Sequence, residues 1–366
     1  MILKKRHLDM KKIMFTGGGS GGHVTLNLNL IPVFQKNGWD IVYVGSETGI
    51  EKDLIGKIDG VKYYKIKTGK LRRYFSWQNL KDAFKIPLGI CQAAYIIHRE
   101  KPDIIFSKGG FVSFPVVVGG FLNRCKIFMH ESDLTPGLAN KMSLPFVDKF
   151  FTTFIDTIKY VRTPQKVCYI GPVLSDRLKN GDKNTAFKMC DFSSDKPIVM
   201  FVGGSLGAQS LNKAVDQNID VLLQKYQVIH ICGKGQKTNL QHKGYAQFEF
   251  VDKEFKDLLA ATDIVVTRSG SNAIFEFWSL NIPMLLVPLP SNASRGEQSS
   301  NAQNFQSKGF AEILPDKDLS KEGLLTKQID KMYQNLDGYR ANIKNSDLKF
   351  TSNEQLYREI VDDQTI

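Results

Sequence analysis

The chain has 366 residues, of which 42% are hydrophobic and 23% charged, and its formal net charge is +12. This is an ordinary globular balance, which excludes collagen-like, disordered and disulfide-scaffold chains, and the length suits two domains at roughly 100–200 residues each. Cys91, Cys125, Cys168, Cys190 and Cys232 are widely spaced and include no CxxC pair, so buried inert thiols in a reducing cytoplasm are expected, without a structural zinc or a disulfide framework.

Residues 1–9 read as a ragged tail, and the charged N-terminus lacks the apolar h-region of a signal peptide. A strand is expected at Lys12–Thr16, then a glycine-rich loop, a helix over 26–36 and a strand over 41–45. Further strands are expected over 104–107, 126–129, 149–152 and 167–170. The rhythm restarts after Gly171-Pro172, with a strand over 198–202, a second glycine-rich loop and a helix from about residue 208. Strands follow over 227–232, 247–250, 264–267 and 283–287, and a terminal helix over 352–362. Alternating strands and helices imply parallel sheets covered on both faces, so the fold class is α/β with two Rossmann-like, doubly wound domains. The longest apolar stretch, residues 111–122 (FVSFPVVVGGFL), falls short of the ~18 residues that span a membrane.

Charge is uneven. Residues 1–170 carry a formal +13, which leaves −1 for the remainder of a chain whose total is +12. The densest stretch, residues 62–85, holds Lys62, Lys65, Lys67, Lys70, Arg72, Arg73, Lys81 and Lys85 among Tyr74, Phe75, Trp77, Leu80 and Phe84. Nucleic acid or an anionic membrane surface would suit it, and so would an amphipathic helix whose apolar side is ordinary core.

Four loops carry the candidate chemistry. The first, Gly17-Gly18-Gly19-Ser20-Gly21-Gly22-His23, lies between a strand and a helix. Glycines allow a tight turn and close approach to a ligand, and the following helix adds partial positive charge. A dinucleotide site would use Glu47 as the acid after the second strand. A plain phosphate loop has no need of His23, which is either catalytic or a hydrogen-bonded structural residue. The second region joins Ser107-Lys108-Gly109-Gly110-Phe111 to His130-Glu131-Ser132-Asp133, again after strands, where α/β sheets bind ligands. The third, Val202-Gly203-Gly204-Ser205-Leu206-Gly207-Ala208, repeats the strand–glycine–helix pattern. The fourth, Arg268-Ser269-Gly270-Ser271, opens a helix that carries Glu276 and precedes Glu297-Gln298. An arginine and helix-start amides suit a diphosphate, and a carboxylate in the next turns suits ribose hydroxyls. The DxD spacing at Asp316-Lys317-Asp318 reads as helix capping rather than metal binding.

These motifs, GGGSGGH, KGGF, HESD with TPGLANK, VGGSLGA, RSGSNAIFE and EQSSNA, stand in one order within residues 12–305. Together they resemble the MurG glycosyltransferases, in a form similar to versions from Gram-positive cocci. The resemblance implies the GT-B fold, two Rossmann-like domains facing across a cleft. Residues 1–172, joined by a terminal helix over about 348–366, would form the acceptor and membrane-facing domain. Residues 173–347 would bind UDP-GlcNAc. It implies an inverting transfer of N-acetylglucosamine from UDP-GlcNAc to the 4-hydroxyl of N-acetylmuramic acid in undecaprenyl-linked lipid I, giving lipid II for peptidoglycan. Alternatives are another GT-B lipid glycosyltransferase or a non-catalytic nucleotide-sugar-binding protein.

The resemblance also assigns residues. Donor contacts fall on Ser20, Gly21, Gly22, Gly204, Ser205, Val251, Arg268, Ser269, Gly270, Glu276, Glu297 and Gln298, with Glu276 on the ribose and the Val251 backbone reading uracil. Acceptor contacts fall on Gly109, Gly110, Phe111, His130, Asn140 and Asn212. His23 is the first choice for the base, with Glu131 and Asp133 as rivals. Asp133 stands where many members have Asn, Phe111 where Tyr is common, Glu297 where Gln or His is common, and Leu174 where many have Arg. Lys70, Arg72, Arg73, Phe75 and Trp77 would meet anionic lipid. The implied partners are UDP-GlcNAc, lipid I, the membrane surface and other cell-wall synthesis proteins, with no nucleic acid. No cofactor or divalent metal is required, and the implied location is peripheral, on the cytoplasmic face of the cell membrane.

Overall fold

The computed structural model describes residues 11–69, 77–174, 176–204, 207–290 and 295–362, and for 77–84 and 176 the backbone alone. Lys70, Arg72, Arg73, Phe75, the Trp77 side chain and Ser205 lie outside the described residues. The described residues of Met1–Leu174 and Lys349–Ile366 form one compact unit, and those of Ser175–Leu348 form another.

In the first unit the order is β1 (Lys12–Thr16), α1 (Thr25–Lys36), β2 (Asp40–Ser46), α2 (Ile50–Ile55), β3 (Val61–Ile66), α3 (Trp77–Glu100), β4 (Ile104–Ser107) and α4 (Ser113–Leu122). It continues with β5 (Lys126–Glu131), α5 (Leu138–Ser143), β6 (Lys149–Thr152) and β7 (Val167–Tyr169). The strands pair in parallel as β3-β2-β1-β4-β5-β6-β7. Both faces of this sheet are covered, so its strands read as near-continuous apolar runs. Alternation still sorts the side chains: Ile13, Phe15, Ile41, Tyr43, Ile104 and Phe106 enter one core, and Met14, Val42, Val44 and Ile105 enter the other.

The second unit contains α6 (Lys183–Cys190), β8 (Ile198–Val202), α7 (Gln209–Lys225), β9 (Gln227–Ile231), β10 (Tyr245–Phe248), α8 (Phe255–Ala261) and β11 (Ile264–Thr267). Then come α9 (Ser271–Ser279), β12 (Met284–Leu286), α10 (Glu297–Ser307), β13 (Ala311–Ile313), α11 (Leu324–Gln334) and α12 (Leu336–Lys344). Its parallel order is β10-β9-β8-β11-β12-β13. Each sheet reverses direction beside its first strand, between β1 and β4 and between β8 and β11. The ends of the strands at such a switch point frame a ligand crevice.

The chain returns to the first unit through α13 (Asn353–Asp362). Leu356 and Ile360 are fully buried in the core that holds Phe34 and Trp39. Trp39 Nε1 donates to Tyr357 Oη at 3.2 Å, and Phe34 meets the Tyr357 ring edge-on at 4.7 Å.

Several sequence expectations are corrected. Two strands were missing from them, β3 and β13, both at sheet edges. The basic stretch 62–85 is not one amphipathic element: Lys62 and Lys65 lie on β3, while α3 begins at Trp77. Its strand part is paired at home. Lys62 reaches Glu100 at 3.7 Å, and Lys65 and Lys67 reach Glu47 at 3.7 and 2.9 Å. Lysines on an edge strand also discourage pairing with another chain. Residues 113–122 form a helix, and its Gly119 lets α4 lie against the backbone of Ala93 and Ala94 in α3. Among the described residues no helix is long and apolar enough to cross a membrane.

Candidate active site

In the first unit the glycine loop leaves β1 beside the loop that follows β4. Gly18 N–H points to Gly109 O at 3.4 Å, and a side chain at Gly110 would strike Gly18 O. Gly19, at φ +85°, lies against the Phe111 ring, a backbone state that disfavours any residue with a side chain. Below the loop, Tyr43 Oη donates to Gly17 O at 2.6 Å, and Asn27 Nδ2 donates to Thr16 O at 3.1 Å. Burial raises the Tyr43 phenol, so it stays protonated and remains a donor. Ser20, Gly21 and Gly22 are exposed at a single 3-10 turn, Gly21–His23, within the first unit.

His23 is half-buried at the end of that turn. Its Nδ1 lies 3.2 Å from Gly18 O and 3.1 Å from Ser20 Oγ. A carbonyl oxygen can only accept, so the Gly18 bond requires the proton on Nδ1. That leaves the lone pair of the neutral ring on Nε2.

The HESD loop behaves differently from the expectation. Glu131 is 3% exposed, and its carboxylate accepts from Asp133 N at 3.1 Å, Gly137 N at 3.0 Å and Asn140 Nδ2 at 2.9 Å. It is therefore a clamp on the TPGLANK turn and not a rival base. Asp133 is half-buried beside it and gives its backbone N–H to that clamp. His130 is buried on β5, with Nε2 3.4 Å from Thr153 Oγ1 and Nδ1 without a hydrogen-bond partner among the described residues. Burial, then the nearby Lys108 charge, push its imidazole well below the usual histidine range. It is a neutral ring. Lys108 is itself buried and donates to Ser132 Oγ at 2.6 Å. Asn140 is buried against Gly109, where an added Cβ would come within 2.6 Å of its Oδ1.

In the second unit Gly204, at φ +88°, is exposed after β8, and a side chain at Gly207 would strike Cys232 O. Ser269 and Gly270 lead into α9, with Ser269 Oγ donating to Gln298 O at 2.8 Å. Gln298 Oε1 accepts from Leu289 N at 3.1 Å, which fixes its amide. Glu297 opens α10, and its carboxylate lies 3.4 Å from Arg295 Nε. Both residues precede β13, so they follow the penultimate strand, where the last strand was expected. Val251 stands three residues beyond the end of β10, which begins and ends two residues earlier than expected.

Glu276 lies on α9, and Arg177 Nη2 stands 3.5 Å from its Oε1. Burial lifts this carboxyl above the ordinary range, and the Arg177 charge works against that. Arg268, expected at phosphates, is held internally. Its Nη1 donates to Asp316 Oδ1 at 2.6 Å and to Val287 O at 3.0 Å, and Nη2 donates to Ser210 Oγ at 2.8 Å. Asp316 thus anchors an arginine and does not cap a helix. Asn212 is also reassigned. It is 8% exposed in the second unit and donates to Cys232 O and Gln236 Oε1, both at 2.9 Å. Its Oδ1 accepts from His230 Nε2 at 3.0 Å, and burial brings His230 down to about 4. Asn212 braces β9 and α7 and has no amide hydrogen left for an acceptor.

Sequence reading missed Glu51, a fully buried carboxylate on α2. It accepts from Gly19 N at 3.1 Å, Ser46 N at 3.0 Å and Ser46 Oγ at 2.5 Å. Three nearby glycines, Gly18, Gly45 and Gly49, were the available signal: a Cβ on Gly18 or Gly49 would strike the carboxylate, and one on Gly45 would reach the Glu51 Cγ.

Two glycine-loop α/β units with these strand orders are the parts of a GT-B fold. The chain belongs to glycosyltransferase family 28: the family's N-terminal domain matches residues 13–152 and its C-terminal domain residues 198–357. It is 51% identical over 336 residues to the UDP-N-acetylglucosamine–N-acetylmuramyl-(pentapeptide) pyrophosphoryl-undecaprenol N-acetylglucosamine transferase of Geobacillus kaustophilus, covering 91% of this chain and 94% of that one. A Staphylococcus carnosus protein of the same name is 50% identical over 309 residues, covering 84% of this chain and 85% of its own. The crystal structure of Acinetobacter baumannii MurG shares the fold at a TM-score of 0.76 and 20% identity, covering 97% of this chain and 100% of that one.

Proposed function

We propose that this chain transfers N-acetylglucosamine from UDP-GlcNAc to the 4-hydroxyl of N-acetylmuramic acid in lipid I, forming lipid II for peptidoglycan. The observation that carries this reading is the half-identity to transferases of that name over nearly the whole chain. The acceptor belongs to the first unit and the donor to the second.

The 4-hydroxyl attacks the anomeric carbon, the bond to the diphosphate breaks, and UDP leaves with inversion. His23 Nε2 takes the hydroxyl proton, a role supported by the Nδ1–Gly18 bond that directs its lone pair. Charge on the departing diphosphate falls to the first amides of α9 at Gly270 and Ser271 and to the Gly203–Gly204 turn, which needs no divalent metal. Glu276 receives the ribose hydroxyls, since Arg177 at 3.5 Å leaves room for further donors. The protein works as a peripheral protein on an anionic membrane at the cytoplasmic face, a reading supported by the +13 charge of residues 1–170.

Incubation with UDP-GlcNAc and a lipid I analogue should release UDP and yield a β-1,4-linked disaccharide product. Binding of UDP-GlcNAc with no release in the presence of the acceptor would replace this reading with a nucleotide-sugar-binding role.

A further inference from the structure

The contacts of His23 and Glu51 meet on one peptide bond. Gly18 C=O accepts from His23 Nδ1 at 3.2 Å, and the N–H of the same peptide, on Gly19, donates to Glu51 Oε2 at 3.1 Å. The order is carboxylate, peptide, imidazole. We propose that Glu51 is a positioning residue for His23, acting through the Gly18–Gly19 peptide as a carboxylate acts directly on a catalytic histidine.

The surroundings of Glu51 support this role. Gly19 N–H, Ser46 N–H and Ser46 Oγ–H all donate to its carboxylate, as to an ionised group. It is 0% exposed, and these donors offset the cost of burying its charge beneath the loop. Hydrogen bonds in a chain polarise one another: an amide that donates to an anion has a more electron-rich carbonyl and becomes a stronger acceptor. Gly18 O therefore holds the Nδ1 proton more firmly, and the negative charge favours the imidazolium formed when Nε2 takes the acceptor proton. Other ionisable groups beside the loop are Lys108, whose Cβ lies near Gly17, Tyr43, which donates to Gly17 O, and Glu47, Lys67 and Lys85, which line one cavity with Gly19 and Phe111. Tyr43 is neutral, and Glu51 is the carboxylate bonded to the loop backbone itself.

The proposal rests on His23 being the base, and the test separates the two. His23→Ala within a few-fold of native kcat would remove the base assignment itself. Given a large His23→Ala loss, Glu51→Gln should lower kcat by roughly ten- to a hundredfold, the range for removing the partner of a functional imidazole. KM for UDP-GlcNAc should stay unchanged. The acid limb of kcat/KM against pH should move to lower pH, because the uncharged variant stabilises the imidazolium less. In the His23→Ala background Glu51→Gln should add almost nothing. An unmoved acid limb together with additive losses would make Glu51 a purely structural residue. A measurement on the native ring does not depend on a Glu51 variant folding. Nitrogen-15 histidine NMR, with the His23 signal identified by its absence in His23→Ala, should show the neutral ring protonated on Nδ1. The Nε2–H form would overturn the relay.

Discussion

The Arg268 guanidinium is locked 2.6 Å from the Asp316 carboxylate, across 48 residues of sequence, with side chains 12% and 19% exposed. A residue type that reads as a phosphate ligand and a spacing that reads as a cap or a metal site turn out to be partners. Asp316→Ala should then destabilise the second unit by about 1–3 kcal/mol, since a largely buried cation loses its counter-charge. It should also tighten UDP binding by releasing positive charge near the α9 start. Thermal unfolding and calorimetric titration with UDP would measure both, and an unchanged Kd would leave Arg268 a structural residue.

His23→Ala should lower kcat by about 10²–10⁴-fold, the usual cost of removing a general base. UDP affinity should barely change, because donor binding is assigned to the other unit. Steady-state kinetics with a soluble acceptor and a UDP titration make the comparison.

Glu276 gives a pH prediction. Burial, opposed by Arg177, raises its carboxyl above the ordinary value of 4.5. The ionised form can accept from both ribose hydroxyls and the protonated form loses that capacity, so UDP affinity should fall as pH drops through the raised value. Arg177→Ala removes the opposing cation and should move the fall to higher pH, while Glu276→Gln should abolish it. Isothermal titration across the acid range would show the three patterns. A pH-independent native affinity would exclude Glu276 from ribose binding.

Leu289 N–H fixes Gln298 through its Oε1, and the NH₂ of the same amide would donate to a sugar hydroxyl, so UDP-GalNAc, the C4 epimer, should be a poor donor. Gln298→Ala should lose rate and narrow the difference between the two donors. Equal kcat/KM for both donors in the native enzyme would detach Gln298 and Glu297 from sugar selection.

For the membrane, the native protein should bind vesicles containing phosphatidylglycerol or cardiolipin, bind neutral vesicles weakly, and be released by high salt. Each surface Lys or Arg contributes roughly 1 kcal/mol before screening. Joint replacement of Lys70, Arg72, Arg73 and Trp77 should weaken sedimentation with anionic vesicles and spare turnover of a short-chain acceptor. Undiminished sedimentation would move the lipid face elsewhere.

The strands that sequence reading placed best, such as Lys12–Thr16 and Ile264–Thr267, are short apolar runs bounded by polar or glycine residues and buried on both sides. The missed β3, VKYYKI, is a half-exposed edge whose lysines dominated its reading, and β13 has three residues, too few for a period. Glycine turns were legible where backbone chemistry dictates them, as at Gly19 and Gly110 with their positive φ and close neighbours. Side-chain roles were legible only in part. A carboxylate in HESD looks the same in sequence whether it faces substrate or, like Glu131, three internal donors. The Glu51 relay was invisible because it is joined through a peptide bond that every chain possesses.

The first unit is begun before Ser175–Leu348 and completed after it. The two crossings are tied together, with Thr351 N donating to Pro172 O at 2.9 Å and Leu174 N to Thr351 O at 3.2 Å. During synthesis the second unit can therefore close while the core around Phe34 and Trp39 still lacks Leu356 and Ile360. The first unit must wait, with an open apolar groove, until translation has passed α12. A ribosome stalled in that interval would display a folded second unit attached to an unfinished first unit, which makes the nascent chain most exposed to proteases and chaperones in its earliest-made half.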